Sequence, residues 1–125
     1  MNKTARVFVI YGSISMVLSV VIGAFGAHIL KNILSENMIV IYHTGVEYQF
    51  YHSLGLFAVA FVSNFQDNKQ VKYSGYFMIL GIILFSGSLY LLSTTGVGWI
   101  GIVTPIGGLC FIVSWILLAI GISKQ

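Results

Sequence analysis

Charge is what this sequence lacks most. Asp, Glu, Lys and Arg make up 7% of its 125 residues, while 58% are hydrophobic. A soluble domain is about 25% charged, so this chain cannot keep a water-exposed surface in solution. Most of its surface must face lipid or other helices. Cysteine is nearly absent as well. Cys110 stands alone inside an apolar segment, which excludes an intramolecular disulfide and a cysteine-rich zinc site and leaves a small packing residue. The formal net charge of +3 comes from few residues, and no basic cluster tracks a surface, so no nucleic-acid partner is expected. There is no GxxxxGK(S/T) loop for nucleotide phosphates, no HExxH or CxxC spacing, and no pair of acids placed for hydrolysis. At this length one compact domain covering residues 1–125 is expected.

What is present is a set of long apolar runs. The first extends from about Val7 to Ala27; at 1.5 Å per residue it is long enough for a bilayer core of about 30 Å. A positive N-terminus before it and Ala24-Phe25-Gly26 within it resemble a signal peptide. The run is long for that purpose and the chain beyond never turns soluble, so an uncleaved first helix is expected. Ser15, Ser19, Gly23 and Ala27 form a stripe at four-residue spacing, widened by Gly12 and Gly26. Such a stripe lets a second helix approach closely, within the protein's own bundle or across a dimer, and the first is favoured.

Further spans are expected at about Thr44 to Val62, Tyr73 to Leu92 and Trp99 to Ile122. Between the first two spans, Leu30, Ile33, Leu34, Met38 and Ile41 recur at helical spacing, which predicts an amphipathic segment from His28 to Tyr42 lying in the interface. Ser35 is placed to cap a short helix starting at Glu36. Ser63 to Tyr73 reads as a polar loop and Ser93 to Gly98 as an uncharged turn. Pro105, the sole proline, removes a backbone donor and predicts a kink in the fourth span. Gly107, Ser114 and Gly121 recur every seven residues, which suits a close left-handed crossing. The expected fold is therefore all-α: an integral membrane bundle of four transmembrane helices with an outer amphipathic segment between helices 1 and 2.

Four spans put both termini on one side. Lys3, Arg6, Lys69, Lys72 and Lys124 fall on that side and Lys31 alone on the other. The positive-inside rule then places both termini and the 63–73 loop in the cytoplasm of a cell whose plasma or inner membrane holds the protein.

The second span begins with the densest polarity of the apolar region: Glu47, Tyr48, Gln49, Tyr51 and His52. If the helix enters the membrane near His43, Glu47 lies roughly 6 Å deep and His52 roughly 13 Å. Charged and polar groups at such depths are costly and tend to be functional. Three readings follow. His28, His43, Glu47 and His52 are of types that ligate a metal or haem, but His43 and His52 point to opposite sides of one helix, and no metal or cofactor is expected. Glu47 and His52 are titratable groups that suit a proton or solute path. The third reading, which is favoured, is structural: Glu47, Gln49 and His52 bond across the bundle to Ser86, Ser88, Tyr90 or Thr104 and fix helix register. The aromatic group Tyr42, Tyr48, Phe50 and Tyr51 reads as an interfacial belt before a lipid or quinone pocket.

Four pieces of sequence, GAFGAH at 23–28, YQFYH at 48–52, FSGSLY at 85–90 and TPIGG at 104–108, resemble the domain of unknown function 423 family of small bacterial inner-membrane proteins, itself similar to the eukaryotic transmembrane protein 256. The resemblance implies a four-span plasma-membrane protein and carries no catalytic set. It marks Gly23, Gly26, His28, Tyr48, Gln49, His52, Ser86, Gly87, Tyr90, Thr104, Pro105 and Gly108 as a shared core. By the span boundaries all four pieces fall in the outer half of the bundle. A polar cluster built around His52, Gln49, Ser86 and Thr104 is therefore expected there.

The functional expectation is a non-enzymatic structural or interaction protein, with membrane lipids, a second copy or another membrane protein as partners. The alternative is a small transporter or permeation protein using the outer polar cluster, and a membrane-bound enzyme comes third.

Overall fold

The computed structural model describes residues 1–123, so Lys124, one of the charges used for orientation, lies outside them. Among the described residues there are helices and no strands. Helix α1 runs Lys3–His28. Asn2 caps it, its Oδ1 accepting from the Ala5 amide at 2.7 Å, as an Asn N-cap does for the unpaired donors of a first turn. Helix α2 runs Glu36–Ser63. Helix α3 spans Lys69–Thr95 and helix α4 Gly98–Ser123. Gly96, at φ 71°, closes α3 in the left-handed conformation that glycine adopts without strain.

By length and composition α1, α3 and α4 can cross a membrane. Helix α2 has 28 residues, as many as its neighbours, but Glu47, Gln49 and His52 lower its hydropathy and it is not among the three. The arrangement is up and down, with α2 and α3 as the central pair, α1 packed on α2 and α4 packed on α3. Along α1 and α2 the paired positions run in opposite directions: Gly12 meets Ser53 and Leu56, Gly23 meets Val46, and Gly26 meets Tyr42. The small stripe of α1 thus turns into the bundle at Gly12, Ser15, Ser19, Gly23 and Gly26, while Ala27 faces outward. The seven-residue repeat of α4 behaves likewise. Gly107 lies on the Phe85 backbone, Ser114 on Ser74 and Gly121 on Val71.

The surface is apolar and the interior holds serines. Ile10, Ile14, Val17, Phe61, Ile83, Leu109 and Ile112 are exposed, and Ser19, Ser53, Ser63, Ser74, Ser86, Ser88, Ser93 and Ser114 are buried. In lipid, apolar side chains gain nothing by turning inward, so helices associate through close packing and hydrogen bonds. One apolar core exists, formed by Ala5, Phe8, Leu56, Val59, Ala60, Val71, Met78 and Leu118. It sits at the end that holds the N-terminus and the 64–68 connection.

Three sequence expectations change. The amphipathic segment from His28 to Tyr42 is not one element. Residues Leu30–Asn32 form a single 3-10 turn, and residues from Glu36 onward are the first turns of α2 itself. Ser35 does cap, its Oγ accepting from the Met38 amide at 3.3 Å, but the helix it starts is long. The helical periodicity of 28–42 therefore mixed a connector with the packed and free faces of an ordinary helix. The polar loop after Ser63 is also shorter than expected, because Asn68 caps α3 through the Val71 amide and draws Lys69 to Tyr73 into its opening turns. Finally, Pro105 stands at a helix start instead of mid-helix. Helix α4 opens with a 3-10 turn at Gly98–Ile102 and becomes α-helical at Val103, so Pro105 stands in a first turn, where its missing donor costs no interior bond.

Candidate functional site

Helix α2 carries two polar assemblies on different faces. The first centres on Gln49, which is 4% exposed. Its Nε2 donates to the Ser15 carbonyl of α1 at 3.0 Å, and its Oε1 accepts from the Tyr90 hydroxyl of α3 at 2.6 Å. One amide therefore ties three helices. Around it Ser53 Oγ lies 2.7 Å from Ser15 Oγ, Ser86 donates to the Gly45 carbonyl at 2.6 Å, and Tyr42 donates to the Ile22 carbonyl. Glycines let the rings in. A Cβ on Gly45 would stand 2.8 Å from Tyr90 Cε1, and one on Gly26 would stand 2.3 Å from Tyr42 Cε1.

The second assembly faces α4 and centres on His52. Trp115 Nε1 donates to His52 Nε2 at 3.2 Å, and His52 Nδ1 lies 2.7 Å from the Tyr48 carbonyl. An indole N–H only donates and a carbonyl only accepts. The imidazole therefore carries its hydrogen on Nδ1 and receives the indole on Nε2. Its ring stacks on Phe111 with centroids 3.5 Å apart and planes 10° off parallel. Tyr48 packs on Phe85 at 4.5 Å between centroids. Beside these rings a groove of about 620 Å³ runs between α2, α3 and α4, with His52, Phe111 and Trp115 among its walls.

The remaining candidates fall elsewhere. Thr104 pairs with Ser88 at 2.6 Å, linking α4 to α3. Glu47, His43 and His28 are exposed, and Glu47 borders a separate shallow groove with Ser19, Gly23 and Tyr51. The structure thus brings together Gln49 with Tyr90, and Ser86 with the backbone beside them. It sets His52 and Tyr48 on another face, and Ser88 with Thr104 at a third interface. Among the described residues no group of three or more His, Cys, Asp or Glu could hold a metal ion. No buried side-chain nitrogen or oxygen among them lacks a partner. In the aromatic group Tyr42 is buried, Phe50 and Tyr51 are exposed, and Tyr48 lines the groove.

Sequence reasoning missed Ser15 and Ser53 as members of the Gln49 network and Trp115 and Phe111 as partners of His52. It also missed the π-helical turn at Ile82–Ser86 inside α3. That turn coincides with the approach of α4. A Cβ on Gly107 would stand 2.3 Å from the Phe85 backbone nitrogen, so the two backbones nearly touch where the winding loosens. Turns of this kind recur at functional sites. The signal available beforehand was the FSGS sequence opposite Gly107-Gly108.

Comparison with known proteins places the chain in a family. The model of the family described as "Protein of unknown function (DUF423)" matches residues 22–108. The chain is 45% identical over 120 residues to the UPF0382 membrane protein YwdK of Bacillus subtilis, covering 95% of this chain and 98% of that protein. It is 43% identical over 106 residues to a UPF0382 membrane protein of Haemophilus influenzae, with 85% of each chain covered. It is 36% identical over 118 residues to the UPF0382 inner membrane protein YgdD of Escherichia coli, covering 94% and 90%. No solved structure matches the chain. The chain belongs to this family of membrane proteins of unknown function.

Proposed function

Starting from that membership, we propose that this is a four-span protein of the plasma membrane, with both termini in the cytoplasm and no catalytic activity. It acts through what it packs against: lipids, a second copy or another membrane protein. One observation carries the reading. Among the described residues every buried side-chain nitrogen and oxygen has a partner, and bonds such as those of Gln49 to α1 and α3 hold one helix to another. A transport path or a reaction centre needs groups whose bonds are available to something else.

Packing supports a fourth crossing. Helix α2 lies antiparallel along α1 from Gly12 opposite Ser53 to Gly26 opposite Tyr42, which favours α2 lying at the same membrane depth as α1. Tyr42 and Gln49 on that stretch are satisfied by α1 and α3, which is how lipid-embedded polarity is tolerated. Lys3, Arg6, Lys69 and Lys72 share one end, the end assigned to the cytoplasm.

The test uses single cysteines in a Cys110→Ser background, labelled in intact cells by a membrane-impermeant maleimide. Four spans predict labelling at Asn32 and at Gly98 and none at Gln66. Labelling at both 32 and 66 would mean that α2 does not cross. The non-catalytic reading is tested alongside in liposomes. It predicts no pH-driven proton or solute flux above protein-free vesicles, and a flux abolished by His52→Ala would overturn it in favour of transport.

A further inference from the structure

The groove beside His52 is not used by the packing network. His52 and Phe111 stand near the midpoints of α2 and α4, and exposed Leu109 and Ile112 border the opening. On the four-span reading, which this inference rests on, the groove opens sideways into hydrocarbon, and whatever enters it must be dissolved in the bilayer.

The lining narrows the chemistry. An acyl chain needs only aliphatic walls, but here the walls are rings. His52 and Phe111 lie stacked, Phe85 and Tyr48 lean together beside them, and Trp115 stands 6.0 Å from His52 at 56°. Ring faces select ring faces, because offset and edge contacts between π-systems add to plain burial. The polar edge is a donor. The Tyr48 carbonyl is taken by His52, while its hydroxyl makes no hydrogen bond among the described residues, and the residue, 38% exposed, lines the groove. A phenol hydroxyl inside hydrocarbon carries a desolvation cost until it meets an acceptor. A volume of about 620 Å³ falls in the range of small-molecule sites, which combine apolar walls with few placed polar groups. The π-helical turn at Ile82–Ser86 brings Phe85 to this wall.

We propose that the groove between α2 and α4 binds a lipid-soluble planar ring bearing a carbonyl acceptor, a quinone-type molecule, stacked on its aromatic walls and accepting a hydrogen bond from Tyr48. The ring enters from the bilayer, and its isoprenoid or alkyl tail remains among the lipids.

Trp115 lies in the groove and reports on it. In a Trp99→Phe background, reconstituted in nanodiscs and titrated with a decyl benzoquinone, Trp115 fluorescence is expected to quench saturably. Tyr48→Phe should weaken the apparent affinity about tenfold, the worth of one desolvated hydrogen bond. Gly108→Leu should remove saturable quenching. A Cβ on Gly108 meets only the Phe85 ring, at 3.8 Å, so the substitution starts from open space beside the groove, and an unchanged melting temperature verifies that no helix contact is lost. Quenching that rises linearly and equally in wild type and Gly108→Leu would overturn the proposal as collisional. Equal displacement of the quinone by excess brominated-acyl phospholipid would overturn it in favour of an acyl chain. Neither outcome touches the four-span reading, which the cysteine labelling tests separately.

Discussion

The two ends of the bundle differ in what fills their interior. At the end with the N-terminus, Phe8, Val59, Val71 and Met78 are fully buried in a dry apolar core, and Gly75 leaves the space that the Phe8 ring fills. Toward the other end the interior is Gln49, Tyr90, Tyr42, Ser86, Ser88 and Thr104, joined by hydrogen bonds across three interfaces. Shape alone can hold an apolar end, but it fixes rotation weakly, since lipid rewards every apolar face equally. Hydrogen bonds are directional; at the apolar end they tie the rim, Asn2 to the Ser63 carbonyl and Asn68 to the Gly121 carbonyl, with Ser114 on the Ser74 carbonyl, while at the polar end they fill the interior and decide which faces meet. The difference teaches that packing gives this protein adhesion and Gln49 gives it register.

Substitutions probe that contrast. The largest effect is expected at Gly107, where the obstacle is backbone and cannot swing aside. Gly107→Val should cost about 3 kcal/mol or more, read as failure to accumulate in the membrane or as a steep loss of melting temperature in detergent. At the apolar end Phe8→Ala should cost about 3 kcal/mol through the cavity it leaves, while helix–helix crosslinks engineered at the polar end still form. Loss of those crosslinks would show that register depends on the apolar core. The smallest effect belongs to Glu47, which faces outward. Glu47→Gln should change thermal stability by less than about 0.5 kcal/mol, and a larger loss would place it inside an interface.

Much of this was legible in the sequence. The stripe of Ser15, Ser19 and Gly23, with Gly12 and Gly26, marked the face of α1 that packs, although Ala27, read as its fourth member, faces outward, and Ser35 marked the start of α2. Tyr90 was among the expected partners of Gln49. The expected members of the polar cluster bond at several interfaces, Gln49 to α1 and α3, His52 to α4, and Thr104 to Ser88. Gln49 and His52 are three apart, about 60° around the helix, and from these adjoining directions one meets α1 and α3 and the other α4. The contact of His52 with Trp115 spans 63 positions and depends on the rotation of α4, which no local pattern records. The π-helical turn was hidden for a similar reason. Its residues, Ile82 to Ser86, read as ordinary apolar helix, and only the Gly107 approach shows where the winding changes. The amphipathic pattern at 28–42 misled because, in a bilayer, periodicity does not separate buried from exposed faces.

The account rests on Gln49 as the tie among three helices, and a double-mutant cycle tests it most directly. Thermal or denaturant unfolding in detergent would be measured for wild type, Gln49→Leu, Tyr90→Phe and the double variant. Gln49→Leu alone should cost about 1–2 kcal/mol, and the pair should couple by about 1 kcal/mol, so that the double variant is little worse than Gln49→Leu. Costs that simply add, within about 0.3 kcal/mol, would contradict the claim that this bond sets the register.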